Sequence, residues 1–265
     1  MPTFQDFPLG RQVPPDDMHI QLFGLRAVLP AAAPAKVEKV FRLPTWHWSH
    51  DQGAEGSCVG HATAMERAIT NSAQNRAARA VGIKQRRYDP IAIWNEAKVV
   101  DGDSSTNPGD DNGTYVRAAY DIMRDHGPRR VRNMVLNGSV PVPIGAQPPV
   151  LRDGADVNRW ARTVDEMRAA IASGTPSVIG VNWYSAFDVP KPDLRVEGDH
   201  WLAPDGRLGS VRGGHSVCIY GASDRRQAFR VKNSWGGAFP LVWLPYKVME
   251  RLLREDGEAA VVTDR

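Results

Sequence analysis

The chain has 265 residues, 42% of them hydrophobic, and its 33 lysines and arginines stand against 30 aspartates and glutamates for a net charge of +3. That length and apolar content predict a soluble globular protein with one large domain or two small lobes, and no apolar run approaches the roughly 18 residues of a membrane span. The basic clusters, Lys84 to Arg87, Arg129 to Arg132 and Arg225 with Arg226, are short and mixed with acids, so they predict solvated faces and no nucleic-acid track.

Two cysteines, Cys58 and Cys218, cannot build the multi-bridge framework of a small secreted protein, which points to a reducing compartment. The N-terminus carries Asp6, Asp16 and Asp17 and no basic segment followed by an apolar core. A cytoplasmic or virion-associated protein without a secretory signal is therefore expected.

In chain order, residues 1–36 are rich in proline and alanine with one apolar patch, Ile20 to Leu29. They read as an arm, a short pro-segment or a tether. Lys36 to Leu43 alternates as an edge strand and leads to Trp46 and Trp48. Asp51 to Ala64, DQGAEGSCVGHATA, is then a glycine-punctuated turn that delivers Cys58 to the start of an apolar helix, with Ser57 as the expected N-cap. Val59, Ala62, Met65, Ala68 and Ile69 recur at helical spacing and define its buried face. A thiol at a helix N-terminus meets unpaired N–H groups and the positive end of the macrodipole, which favours thiolate and hence a nucleophile.

Asp89-Pro90 opens a second helix, and the acidic stretch Asp101 to Gly113 lacks the glycine and terminal glutamate of a calcium loop, so it reads as a solvated turn. Thr114 is the expected cap of a third helix with Tyr115, Ala118, Ala119, Ile122 and Met123 buried. Residues 138–156, with four prolines and three glycines, mark the boundary between a helical lobe (about 45–140) and a sheet lobe (about 155–250). In the second half Thr163 and Glu166 form a capping box, Gly174 ends that helix, and SVIGVNW, HSVCIYG, AFRVKNSW and PLVWLPY read as strands before the helix VMERLLRE. Residues 256–265 read as a C-terminal tail.

Gly213-Gly214-His215 places an imidazole at the start of a strand, and Lys232-Asn233-Ser234-Trp235-Gly236 follows. A thiol, an imidazole and an amide far apart in sequence are the set a cysteine nucleophile needs: the imidazole takes and returns the proton, and the amide oxygen fixes the ring. With Gln52 six residues before Cys58, GGHSVCIYG, VKNSWGG, IWNEAKVVDG and DDNGTYVRAAYDIMRDHG, the chain resembles the papain-like cysteine peptidases over about residues 37–250, in particular their bacterial and phage branch without disulfides. The resemblance implies an α+β fold with a helical N-terminal lobe, an antiparallel barrel-like C-terminal lobe and a peptide groove between them. It further implies Cys58 as nucleophile, His215 as general base and acid, Asn233 as orienter, Gln52 with the Cys58 N–H as oxyanion donors, and Trp235 as the shield of the His215–Asn233 bond. Ser57 and Gly214 support the site, and no cofactor or metal is implied.

Val59 and Glu55 stand where disulfide-bearing relatives have tryptophan and cysteine, so no bridge braces the helical lobe. Trp46, residues 133–136, Trp183 and the excursion 188–212 are the expected groove walls. The arm, with Ile20 to Leu29, stands as a possible plug of the groove or a contact for a virion or assembly partner. The rival readings are an amidase or acyltransferase with the same acyl-enzyme chemistry, a silent peptidase-like binding or virion component, and a zinc site at His47, His50, Cys58 and His61. Cys218 reads as a core residue.

Overall fold

The computed structural model describes residues 4, 5, 7–12, 36–74, 86–102 and 113–264. Helices α1 (Cys58–Gln74), α2 (Pro90–Val100) and α3 (Val116–Asp125) come first, after a three-residue strand β1 (Glu38–Val40). A separate hairpin, β2 (Asn133–Asn137) with β3 (Val140–Ile144), follows, its second strand inside the stretch read as a lobe boundary. The second half holds β4 (Ala155–Trp160), α4 (Val164–Ser173), β5 (Ser177–Tyr184), β6 (Lys191–Pro192), β7 (His200–Trp201), β8 (Val211–Ser223), β9 (Ala228–Lys232), β10 (Val242–Pro245), α5 (Tyr246–Arg254) and β11 (Glu258–Asp264).

Nine strands pair in the order β4-β11-β5-β8-β9-β10-β7-β6, with β1 along β8, and every pairing is antiparallel except β10 with β7. Among the described residues these pairings form an open path. Strand β8 is its spine, because its 13 residues pair with β5, β9 and β1 and from Ser216 onward the strand is buried on both faces. Such a strand is rigid, and it carries His215. One core packs the sheet against α4, α5 and the inner end of α1; a second gathers α1, α2 and α3 over β4, β5 and β11.

Local chemistry explains the helix boundaries. Asp89 accepts from the N–H groups of Ile91 and Ala92 at 3.0 Å with Pro90 in the first turn, and Thr163 accepts from Glu166 N–H at 3.1 Å while Gly174 closes α4 at φ 115°. Two expected caps are not made. Ser57 Oγ has no hydrogen-bond partner, although its carbonyl accepts from His61 N–H at 3.0 Å. Helix α3 starts at Val116 with an uncapped Tyr115, and Thr114 instead gives its hydroxyl to the Asp101 carboxylate and its backbone to residues 10 and 12.

The C-terminal tail is a correction to the sequence reading. Glu258–Asp264 forms β11, inserted between β4 and β5, and its alanines and valines are buried. EAAVV is a short apolar run bounded by Gly257 and polar residues, which is what a doubly covered strand requires. The acidic stretch 103–112 and the patch Ile20 to Leu29 lie outside the described residues. No helix among the described residues is long and apolar enough to cross a membrane.

Candidate active site

Cys58 is the first residue of α1 and is fully buried. The turn before it is tied to the sheet: Gln52 N–H donates to Ser234 O at 2.8 Å, Asp51 bridges Trp235, and Gly236 N–H donates to His50 O at 3.2 Å. Position 236 needs glycine, since its φ is +64° and a Cβ would lie 2.4 Å from Asp51 Oδ2. The loop carrying Asn233 thus braces the turn carrying Cys58.

His215 Nε2 and Asn233 Oδ1 are 2.9 Å apart, fully buried, and Asn233 Oδ1 also accepts from Ser234 N–H at 2.7 Å. An amide oxygen is an acceptor, so Nε2 carries the proton and Nδ1 keeps its lone pair. Nδ1 has no hydrogen-bond partner. One residue on, the backbone N–H of Ser216 reaches the Cys58 thiol, which brings the His215 strand to the sulfur.

Aromatic rings close this polar pair from the core. The Trp235 ring lies 5.0 Å from the His215 ring, and Trp183 meets His215 edge-on at 4.6 Å and Trp235 at 5.3 Å. Trp183 is fully buried and donates to Asp188 Oδ1 at 2.9 Å, so it backs the imidazole and is not the groove wall expected from the sequence. Excluding water here strengthens the His215–Asn233 bond.

Gln52 is fully buried with its amide held at both ends. Oε1 accepts from Ser234 Oγ at 2.5 Å, and Nε2 donates to Glu55 O at 2.9 Å and to Pro8 O at 3.3 Å. Ser234 was not singled out in the sequence; its place inside NSWG was the available signal.

The N-terminal segment lies across the site. Arg11 N–H donates to Gly214 O at 3.0 Å, Thr114 N–H donates to Gly10 O at 2.9 Å, and Gln12 N–H donates to Thr114 O at 3.1 Å. Residues 10–12 thus run as a single strand between the start of α3 and the His215 strand, and the Gly10 N–H points at the thiol. The fit leaves no room for side chains at two contact points: a Cβ on Gly214 would lie 2.0 Å from Arg11 O, and one on Gly113 would lie 1.7 Å from Gly10 O. Further back, Phe4 and Phe7 stack on Trp235 at 5.8 and 5.0 Å, and Arg212 donates to the carbonyls of Phe4, Gln5 and Phe7.

Burial decides the electrostatics. Desolvation raises the Cys58 thiol to about 11, against the smaller opposing pull of the Gly10, Ser216 and Val59 N–H groups, and desolvation lowers His215 to about 4. The helix N-terminus, expected to favour thiolate, loses here to burial. In this arrangement the pair is neutral.

Other candidates separate from the site. Cys218, three residues beyond His215, lies in the hydrophobic core. His50 Nε2 bonds His61 O at 2.8 Å and the two rings pack at 4.6 Å; among the described residues no group of three histidines, cysteines or acids could hold a metal. Both cysteines are free thiols.

No protein-family model matches the sequence. Among curated proteins, an uncharacterized peptidase C1-like protein of Acanthamoeba polyphaga mimivirus is 25% identical over 232 residues, covering 80% of this chain and 68% of that protein. Among solved structures, xylellain, a cysteine protease from Xylella fastidiosa, superposes with a TM-score of 0.64 at 17% identity over 100% of this chain and 98% of its own. A recombinant stem bromelain precursor gives 0.57 at 13% identity over 99% and 79% of the two chains. The chain has the α+β fold of papain-like cysteine proteases, and the resemblance read in its motifs is borne out by these relatives.

Proposed function

We propose that the protein is a cysteine peptidase that hydrolyses peptide bonds at Cys58, with His215, Asn233 and Gln52 completing the site, and that residues 4–12 hold it latent. The reading is carried by the buried His215–Asn233 hydrogen bond of 2.9 Å, which leaves Nδ1 as the free basic nitrogen on the strand whose next N–H reaches the thiol.

Once the segment leaves and a substrate enters, His215 Nδ1 takes the Cys58 proton and the thiolate attacks the peptide carbonyl carbon. The carbonyl π pair moves to oxygen, where Gln52 Nε2 and the Cys58 N–H stabilise it. Collapse breaks the C–N bond, the amine leaves with the proton from His215, and a thioester remains on Cys58. Water, deprotonated by His215, attacks the thioester; the acid departs and the thiol regains the proton. Asn233 keeps Nε2 protonated throughout, and Trp235 keeps water from that bond.

An amidase with the same thioester chemistry would use the same atoms; the peptide reading is favoured because the groove already holds an extended chain by backbone hydrogen bonds to Gly214 and Thr114. The test is hydrolysis of peptide reporters by the Arg11→Ala chain, in which the segment is loosened. Turnover that vanishes in Arg11→Ala/Cys58→Ala supports the reading, and turnover that survives it refutes the assignment of Cys58.

A further inference from the structure

A pocket of about 370 Å³ opens where residues 189–200 meet residues 237–241. Its apolar walls are Phe4, Trp48, Val189, Pro190, Pro240 and Leu241, and none of Gln52, Cys58, His215 and Asn233 lines it. Ligand pockets run from roughly 300 to 1,000 Å³, so the guest that fits this one is small. Phe4 ties the pocket to the segment, since its ring stacks on Trp235 at 5.8 Å and meets Phe239 edge-on at 4.9 Å.

Arg230, on β9, is the one fixed charge among the described lining residues, and its side chain is 11% exposed. Nε donates to Tyr220 Oη at 3.1 Å and Nη2 to Asp199 Oδ1 at 2.7 Å. That carboxylate is shared, because Asp199 also takes Arg226 Nη2 at 3.1 Å and the Trp243 N–H at 3.0 Å. Arg230 Nη1 finds no hydrogen-bond partner among the described residues. A buried donor without an acceptor is destabilising, and an anionic oxygen is the acceptor a guanidinium binds most strongly.

The two halves of this lining set the guest. An inorganic anion would leave the apolar walls unused, a hydrocarbon would leave Nη1 unmatched, and Arg230 repels a cation. We propose that the pocket binds a small carboxylic acid with an aromatic or branched aliphatic body, its carboxylate on Arg230. Resting on the reading that residues 4–12 hold the site latent, the guest also keeps the segment seated. Phe4 is a wall of the pocket only while the segment is in place, so a guest packed on it favours the seated state by linkage.

The test is calorimetric titration of the full-length wild-type chain with N-acetylphenylalanine and with its uncharged amide, repeated on Ala238→Trp, which fills the pocket from an exposed lining position. The acid should bind at least tenfold more tightly than the amide, and Ala238→Trp should abolish binding of both. Ala-Ala-Phe separates two sources of the same chemistry: tighter binding than the single residue identifies the C-terminus of a peptide, and weaker binding a free acid. At ten times its Kd, the acid should slow iodoacetamide labelling of Cys58 about tenfold, because the released state is depleted by the factor 1 + [L]/Kd. No binding, equal binding of acid and amide, or acid binding that survives in Ala238→Trp would overturn the site. Selective binding that leaves the labelling rate unchanged would overturn the coupling to the segment. Acid against amide on the wild-type chain decides the matter even if Ala238→Trp does not fold. Binding is read without turnover, so a Cys58 that hydrolyses nothing would sink the peptidase reading and leave the pocket.

Discussion

Arg11 N–H donates to the carbonyl of Gly214 at 3.0 Å, one residue ahead of His215, while on its other edge the same segment pairs with Thr114. The two halves of the protein are thereby stitched together across the thiol. Between them Cys58 is fully buried, and that burial raises its thiol to about 11.

The first prediction concerns that thiol. With Cys58 raised to about 11, only about one molecule in ten thousand carries thiolate at pH 7. Alkylation of Cys58 in the wild-type chain should be slow and should keep rising with pH without a plateau below about 11. In Arg11→Ala the hydrated thiol should react at least tenfold faster at pH 7, with its plateau shifted to lower pH. Identical profiles for the two chains would show that the segment does not control the thiol.

Gln52→Ala should lower kcat by roughly two orders of magnitude with little change in KM, because an oxyanion donor acts in the transition state and not on the bound substrate. Steady-state kinetics in the Arg11→Ala background checks this. A change confined to KM would reassign Gln52 to substrate binding, consistent with its present bond to Pro8 O.

Asn233→Ala removes the acceptor that fixes the His215 ring and leaves Ser234 N–H without its partner. Activity should fall by about a hundredfold, and the pH profile should change shape because the ring tautomer is no longer imposed. Asn233→Asp keeps an acceptor and should recover part of the rate. Loss without any recovery would mean that the position serves folding alone.

Glu258 supplies a pH dependence of stability. Desolvation outweighs Arg11 and raises its carboxyl from 4.5 to about 7, so the folded chain binds the proton more readily than the unfolded one. Its contribution is fully present below about pH 4.5 and is lost as pH rises to about 7, an effect of at most about 3 kcal/mol. The Tm of wild type relative to Glu258→Gln should therefore fall across that window. A difference independent of pH would contradict the buried, proton-retaining carboxyl.

Much of the site was legible because its chemistry sits in local motifs. GGH, KNSWG and the turn ahead of Cys58 each encode a backbone shape together with a reactive group, and the helix caps at Asp89 and Thr163 follow from short-range hydrogen bonding. What stayed hidden depends on distant pairing. Glu258 looked like part of a tail because nothing local reveals that EAAVV inserts between β4 and β5, and Arg11 sits in a PLGRQ segment whose backbone partners, Thr114 and Gly214, lie more than a hundred positions away. Thr114 reads as a helix cap, its commonest use, but its hydroxyl goes to the Asp101 carboxylate and its backbone to the segment.

The most direct test of the account is intact-mass labelling of the full-length Arg11→Ala chain with a peptidyl epoxide between pH 5 and 8. One adduct, mapped to Cys58, absent from Arg11→Ala/Cys58→Ala and slower to form on wild type, is the predicted result. A folded Arg11→Ala chain that takes no adduct, or takes it at Cys218, would contradict a latent thiol peptidase site at Cys58.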